Sequence, residues 1–216
     1  MQDKWVYVGT ERGNVYLMNL ETFQLSAYII SWNKLMDPMQ KNHPGAISHL
    51  STNPADTGKI LIGFETGLLT LWDLASKKGE ARFLYPNVKV YSLSWNMDGR
   101  QFVCSCGDGS LVTWAVAGKP PPQLSAAHNK PVSVVFPHGK KSKDTGKVEP
   151  CDPIEKVVWG VSRSTYEPYF VFRYDGLCGL HFVFDGHIDQ SLKLLFPSLP
   201  SCFLSVKLDS PLKQMS

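Results

Sequence analysis

Apolar and polar positions along the chain fall into short runs that alternate with period two and break at glycine or at polar clusters, the pattern of strands and turns. Trp5–Gly9 alternates bulky residues, Thr10-Glu-Arg-Gly13 is a turn, and Asn14–Leu20 is the return strand. The same hairpin recurs at Lys59-Ile-Leu-Ile-Gly-Phe-Glu-Thr-Gly-Leu-Leu-Thr-Leu-Trp-Asp-Leu74 and at Gln101-Phe-Val-Cys-Ser-Cys-Gly-Asp-Gly-Ser-Leu-Val-Thr-Trp114. Gly9 aligns with Gly63, Gly13 with Gly67 and Asn19 with Asp73, each at an offset of 54, and Gly67 aligns with Gly109 at an offset of 42. A tight hairpin demands positive φ, which a side chain penalises, and Gly13, Gly67 and Gly109 meet that demand. No heptad pattern of apolar residues is present.

Innermost strands are predicted at Pro44–Leu50 and Val88–Trp95, and outer strands at Glu80–Tyr85 and Gln123–Ala127. Strand, turn, strand, turn, strand, Trp, loop, strand makes one four-stranded blade, and the period with Trp72–Asp73 is that of a WD40 β-propeller. The fold class is therefore all-β, a partial propeller of three to four blades. The organisation reads as a partial blade at 4–32, an inserted loop at 33–43, and blades at 44–86 and 87–128. A polar connection follows at 129–153, then a partial blade at 154–184 and an uncertain or disordered tail at 185–216. The larger first offset marks the insertion, seen as Ser31–Asn42, with Trp32 closing the outer strand of the first blade. Ile154–Gly160, Tyr169–Arg173 and Gly179–Phe184 are the strands expected in the last partial blade.

Composition narrows the classes. Of 216 residues 43% are hydrophobic and 19% charged, which is globular, and the net charge of +3 argues for no nucleic-acid partner. No apolar run approaches the roughly 18 residues of a membrane span. Five cysteines without regular spacing make no disulfide framework, and there is no signal segment, so a cytoplasmic setting is expected.

Candidate chemistry is sparse. Trp72 and Trp114 read as packing between blades, and Asp73 and Asp108 as structural polar groups. Asp108 would accept hydrogen bonds from its turn. The matching positions are Arg12 and Thr66, so those turns must close differently. Cys104 and Cys106 share one face of a strand, and Cys178 and His181 have ligand-like spacing, but neither pair completes a metal site. Phosphate loops, a nucleophile elbow and a His-Glu-x-x-His motif are absent, so no catalytic, cofactor or metal residue is assigned and no enzyme is expected. Lys140, Lys141, Lys143 and Lys147 form the one candidate contact loop, for acidic lipid or a protein partner, against the plainer reading of a solvated loop.

Less regular sequence carries a resemblance. The runs Trp5-Val-Tyr-Val-Gly-Thr-Glu-Arg-Gly-Asn14, His43-Pro-Gly45, Lys59–Gly67, Leu71-Trp-Asp-Leu74, Ser76-Lys-Lys78, Pro137-His-Gly-Lys140 and Glu149-Pro-Cys-Asp-Pro153 resemble the N-terminal propeller of the tomosyn branch of the lethal giant larvae family. The likeness spans roughly residues 4 to 172. It implies two consecutive seven-bladed propellers, a SNARE-like C-terminal segment that binds syntaxin, and a role in restraining exocytosis with peripheral plasma-membrane association. Relatives of that family include cortical-polarity proteins that bind myosin II. Here the chain opens on the second strand of a blade, lacks the SNARE-like segment, and leaves the family pattern after Arg173. An open set of blades exposes apolar faces, so poor solubility is expected of the chain alone.

Overall fold

In a computed structural model the chain is described over residues 4–36, 42–116, 129–137, 149, 151–161 and 168–174, and over the backbone of Gly179–Phe184 and Phe203–Lys207. The strands form consecutive antiparallel meanders. The first sheet has three strands, β1 (Trp5–Gly9), β2 (Val15–Asn19) and β3 (Leu25–Ile30). The second has four, β4 (Ile47–Thr52), β5 (Lys59–Phe64), β6 (Leu68–Asp73) and β7 (Lys78–Leu84). The third runs β8 (Val90–Trp95), β9 (Gln101–Cys106), β10 (Leu111–Ala115) and β11 (Ser133–Val135). The fourth runs β12 (Ile154–Val161), β13 (Pro168–Tyr174), β14 (Gly179–Phe184) and β15 (Phe203–Lys207).

The three hairpins at offsets of 54 and 42 are β1–β2, β5–β6 and β9–β10. Their turns place Gly13, Gly67 and Gly109 at φ +70°, +83° and +78°. Innermost strands start later than the sequence suggests, at Ile47 and Val90. Pro44–Ala46 is held instead in a loop, where Ala46 N–H donates to Glu65 Oε2 at 3.3 Å and Gly45 N–H to His43 Nδ1 at 3.0 Å. Each innermost strand of a four-stranded sheet carries a one-residue bulge at the same step, between Ile47 and His49, between Val90 and Ser92, and between Ile154 and Lys156.

Five expectations are corrected or left aside. Trp32 does not end a strand: β3 stops at Ile30, and Trp32 opens a short helix, α1 (Trp32–Leu35). The segment read as an inserted polar loop is thus partly ordered, because Leu35 is fully buried and Met36 nearly so against the first core. The outer strand expected at Gln123–Ala127 lies outside the described residues. Beside β10 stands β11, within the segment read as a polar connection, a three-residue edge too short to register as a period. The tail is not patternless throughout: β15 pairs with β14 over five residues, and backbone pairing along a sheet edge needs no long apolar run.

The chain divides into two compact units. One takes Met1–Lys89, Met97–Gln101 and Trp114–Val132, the other Val90–Asn96, Phe102–Thr113 and Ser133–Ser216. In the first, Val15, Ile30 and Leu35 pack with Ile60, Ile62, Phe64, Leu68 and Trp72, and Tyr7, Leu17 and Tyr28 line the margin. In the second, Val103 and Leu111 pack with Ile154, Val157, Trp159, Phe170, Phe172 and Tyr174. Full burial of each such side chain stabilises by about 1.5–3 kcal/mol.

Candidate interaction surface

The residues singled out by the repeat are placed in turns and cores. Trp72 is buried in the first core, and Trp114, equally buried, meets Phe83 edge-on with ring centroids 5.6 Å apart. Asp73 Oδ1 accepts from Ala75 N–H at 2.7 Å and Ser76 N–H at 3.1 Å. The Ser76 amide, more than any other group, holds this carboxyl below its ordinary range, against the opposing effect of burial. Asn19 repeats the arrangement, accepting from Glu21 N–H at 2.8 Å and Thr22 N–H at 3.1 Å. An amide and a carboxylate therefore close equivalent turns through one oxygen, an Asx turn.

Asp108 Oδ1 accepts from the Ser110 hydroxyl at 2.6 Å and from Ser110 N–H at 3.1 Å. The two turns with Arg12 or Thr66 at the position of Asp108 do close differently. Thr66 donates its hydroxyl to Pro44 O at 3.0 Å, and Arg12 O is bonded at 3.1 Å by His43 Nε2. A His43 ring carrying its proton on Nε2 satisfies both Arg12 O and Gly45 N–H, and it lies 4.7 Å from the Trp32 ring. Beyond Gly109 a Cβ would run into Cys151 Sγ and the Asp152 carbonyl, so this turn accepts only glycine.

Lys140, Lys141, Lys143 and Lys147 lie outside the described residues, as does Cys178, and the His181 side chain is not described. Cys104 and Cys106 are buried in β9, and burial pushes the Cys106 thiol up to about 12. A thiol so protonated is neither a ready ligand nor a nucleophile. Among the described residues no group of three or more His, Cys, Asp or Glu could hold a metal ion. No described helix is long and apolar enough to cross a membrane.

Sequence reasoning missed two features. One is the anchoring of α1: Arg82 Nε donates to Leu35 O and Arg82 Nη2 to Met36 O, each at 2.9 Å, and the Thr70 hydroxyl donates to Leu35 O at 3.0 Å. The other is the outward face of the first sheet. Tyr7, Val15, Leu17, Tyr28 and Ile30 point to the core, so alternation sends Val6, Val8, Tyr16, Met18 and Ile29 the other way. Val8 and Ile29 are each 38% exposed, Leu25 60% and Phe23, in the adjoining turn, 73%. An offset of 54 maps Val6, Val8 and Met18 onto Ile60, Ile62 and Trp72, which are buried. The sequence carried no signal for this difference: the same apolar pattern stands at a buried face in one sheet and at a partly exposed face in the other.

No family model matches the chain. Among characterised proteins it is 29% identical over 163 residues to "Lethal(2) giant larvae protein" of Drosophila melanogaster, covering 74% of this chain and 13% of that protein. The protein of the same name from Drosophila pseudoobscura pseudoobscura is 32% identical over 122 residues, 55% of this chain and 10% of that one. "LLGL scribble cell polarity complex component 2" of Homo sapiens is 28% identical over 174 residues, 78% of this chain and 16% of that one. The chain thus spans between 10% and 16% of the length of these relatives. Among solved structures, "Structure of U3-55K" matches with a TM-score of 0.61 at 14% identity, covering 95% of this chain and 49% of that one. "Crystal structure of RRP9 WD40 repeats" matches with a TM-score of 0.58 at 14% identity, covering 83% and 44%. Meandering sheets, glycine-closed hairpins and these likenesses together make the chain an all-β protein of the WD40 β-propeller fold, similar in sequence to the lethal giant larvae proteins.

Proposed function

We propose that the chain is a non-enzymatic protein-binding scaffold of the lethal giant larvae type that restrains SNARE-dependent vesicle exocytosis, in the cytoplasm and peripherally at the plasma membrane. The observation that carries the scaffold reading is the sequence likeness to lethal giant larvae proteins across 55% to 78% of the chain. The exocytosis reading draws on the loop runs Gly63-Phe-Glu-Thr-Gly67 and Ser76-Lys-Lys78, which the WD40 period does not require. Its partners are syntaxin and the SNARE machinery, with Lys140, Lys141, Lys143 and Lys147 as a contact loop.

A second reading has equal support: a cortical-polarity scaffold that binds myosin II. The name of the human relative, a scribble cell polarity complex component, favours it. A third, a generic WD40 interaction module, follows from fold alone. Immobilised chain offered syntaxin, its synaptosomal partner SNARE and the myosin II heavy chain separates the three. Selective retention of syntaxin supports the first, and retention of myosin II alone replaces it with the second. Retention of neither removes both and leaves the generic module.

A further inference from the structure

The third sheet turns hydroxyls into a buried seam. Its Val103 and Leu111 pack there against Ile154, Val157, Trp159 and Phe170 of the fourth sheet. Cys106 N–H donates to Ser110 O at 3.0 Å, so antiparallel counting sets Ser105 opposite Leu111 and Val103 opposite Thr113. Ser92 lies opposite Ser105, and Ser94 opposite Val103. Directly opposite residues share a face, so two rows cross the seam, Ser92–Ser105–Leu111 and Ser94–Val103–Thr113. Ser105 is fully buried, and Ser92 and Thr113 are nearly so. Ser94 Oγ accepts from Trp159 N–H at 3.0 Å, which ties the fourth sheet to the second row.

Three polar atoms of this seam have no hydrogen-bond partner among the described residues: Ser105 Oγ, Thr113 Oγ1 and Trp159 Nε1. The fold itself does not demand the hydroxyls. At an offset of 42 the second sheet carries Gly63 at the position of Ser105 and Leu71 at that of Thr113. A buried polar group without a partner loses its hydration and gains nothing in return, so three in one core call for a partner of their own. The indole N–H can only donate, so that partner offers a lone pair to it, whereas the hydroxyls both give and accept. Among the described residues of this core there is no Asp, Glu, Lys, Arg or His, so an ion would go unpaired and the partner is neutral. We propose that ordered internal water is bound in this seam, accepting from Trp159 Nε1–H and bridging Ser105 Oγ to Thr113 Oγ1. Ser105 and Thr113 are diagonal neighbours, about 7–8 Å apart along such a ladder. One or two waters, with hydrogen bonds of about 2.8 Å each, cover that span.

The test is nuclear cross-relaxation between water and the Trp159 indole proton, in the chain with its tryptophan nitrogens isotope-labelled. The signal is identified by its disappearance in Trp159→Phe. It should show a cross-peak to water with the sign of a molecule bound for longer than the chain takes to tumble. The double change Ser105→Ala with Thr113→Val keeps the side-chain shapes nearly intact and removes both hydroxyls, so it should lose the cross-peak. Thr113→Ser, which restores a hydroxyl, should keep it, and loss there would contradict a site built on hydroxyls. Absence of the cross-peak in the unaltered chain overturns the proposal and leaves the indole satisfied by the Phe170 ring, with which it stands edge to face at 4.9 Å and 87°. That measurement needs no variant to fold. Persistence of the cross-peak in the double variant also overturns the proposal, because the water would then have other partners.

Discussion

Phe23 and Lys77 occupy the same left-handed step of two equivalent turns, at φ +54° and +57°, yet their side chains are placed differently. Lys77 Nζ lies 4.9 Å from the centroid of the Tyr28 ring, a cation–π contact, and Phe23 is 73% exposed. A bulky residue held in this region costs about 1–2 kcal/mol. Replacing Phe23 with Gly relieves that strain but frees the unfolded chain, so Phe23→Gly should stabilise by about 0.5 kcal/mol. Lys77→Gly loses the cation–π contact and should gain nothing. Urea unfolding of the two variants checks the contrast, and a larger gain at Lys77 would contradict it.

Trp72 fills the centre of the first core. Trp72→Ala should cost about 3–5 kcal/mol, the range for a buried aromatic. Trp5, 41% exposed in the first sheet, should cost less than about 1 kcal/mol on the same change. Denaturant midpoints at constant slope decide it.

The carboxyl of Asp73 is held below its ordinary range when folded, so its contribution is present above the unfolded value and fades as pH falls through the lower folded one. Because Asn19 closes its turn through the same contacts, Asp73→Asn should be nearly neutral at pH 7 and flatten stability below about pH 4. Asp73→Ala should cost about 1 kcal/mol at pH 7 through loss of two backbone contacts. Thermal melts from pH 2 to pH 7 provide the measurement.

Arg82 holds the end of α1 by two donors in a fixed fork. Lysine carries a point charge and cannot span both carbonyls, so Arg82→Lys should cost about 1–2 kcal/mol. Amide exchange should then rise first at Lys34 and Met36, whose N–H groups bond Ser31 O and Trp32 O. Uniform acceleration across the second sheet would place the loss elsewhere.

Cys106, pushed up to about 12 by burial, should stay unlabelled by a maleimide at pH 8 in the folded chain and label on unfolding. Peptide mass spectrometry distinguishes it from the other cysteines, and labelling at the rate of an unstructured peptide would show the site to be open.

The hairpins were legible because period-two alternation and a glycine at positive φ act within a dozen or so residues. The turn contacts of Asp108 were legible for the same reason. Helix α1 was not: its four residues give no period, and its stability comes from Leu35 packing and from Arg82, 47 positions away. Strands β11 and β15 were missed because an edge is held by backbone bonds that sequence does not display. Nor could the sequence separate the covered face of Ile60 and Ile62 from the open face of Val6 and Val8. Both read as alternating aliphatics, and only the neighbour differs.

The bulge shared by β4, β8 and β12 sets the phase of everything after it. Side chains alternate along a strand, so one extra residue decides which half of the remaining sequence meets oil and which meets water. Without the bulge, a regular strand that kept Ser48 would turn Ile47 to the opposite side from Leu50 and Thr52, whereas deleting Ser48 would leave Ile47 and Leu50 two positions apart on one side of an unbulged strand. A reading of such chains that counts apolar letters without counting this step would assign the right strands and invert one end of each.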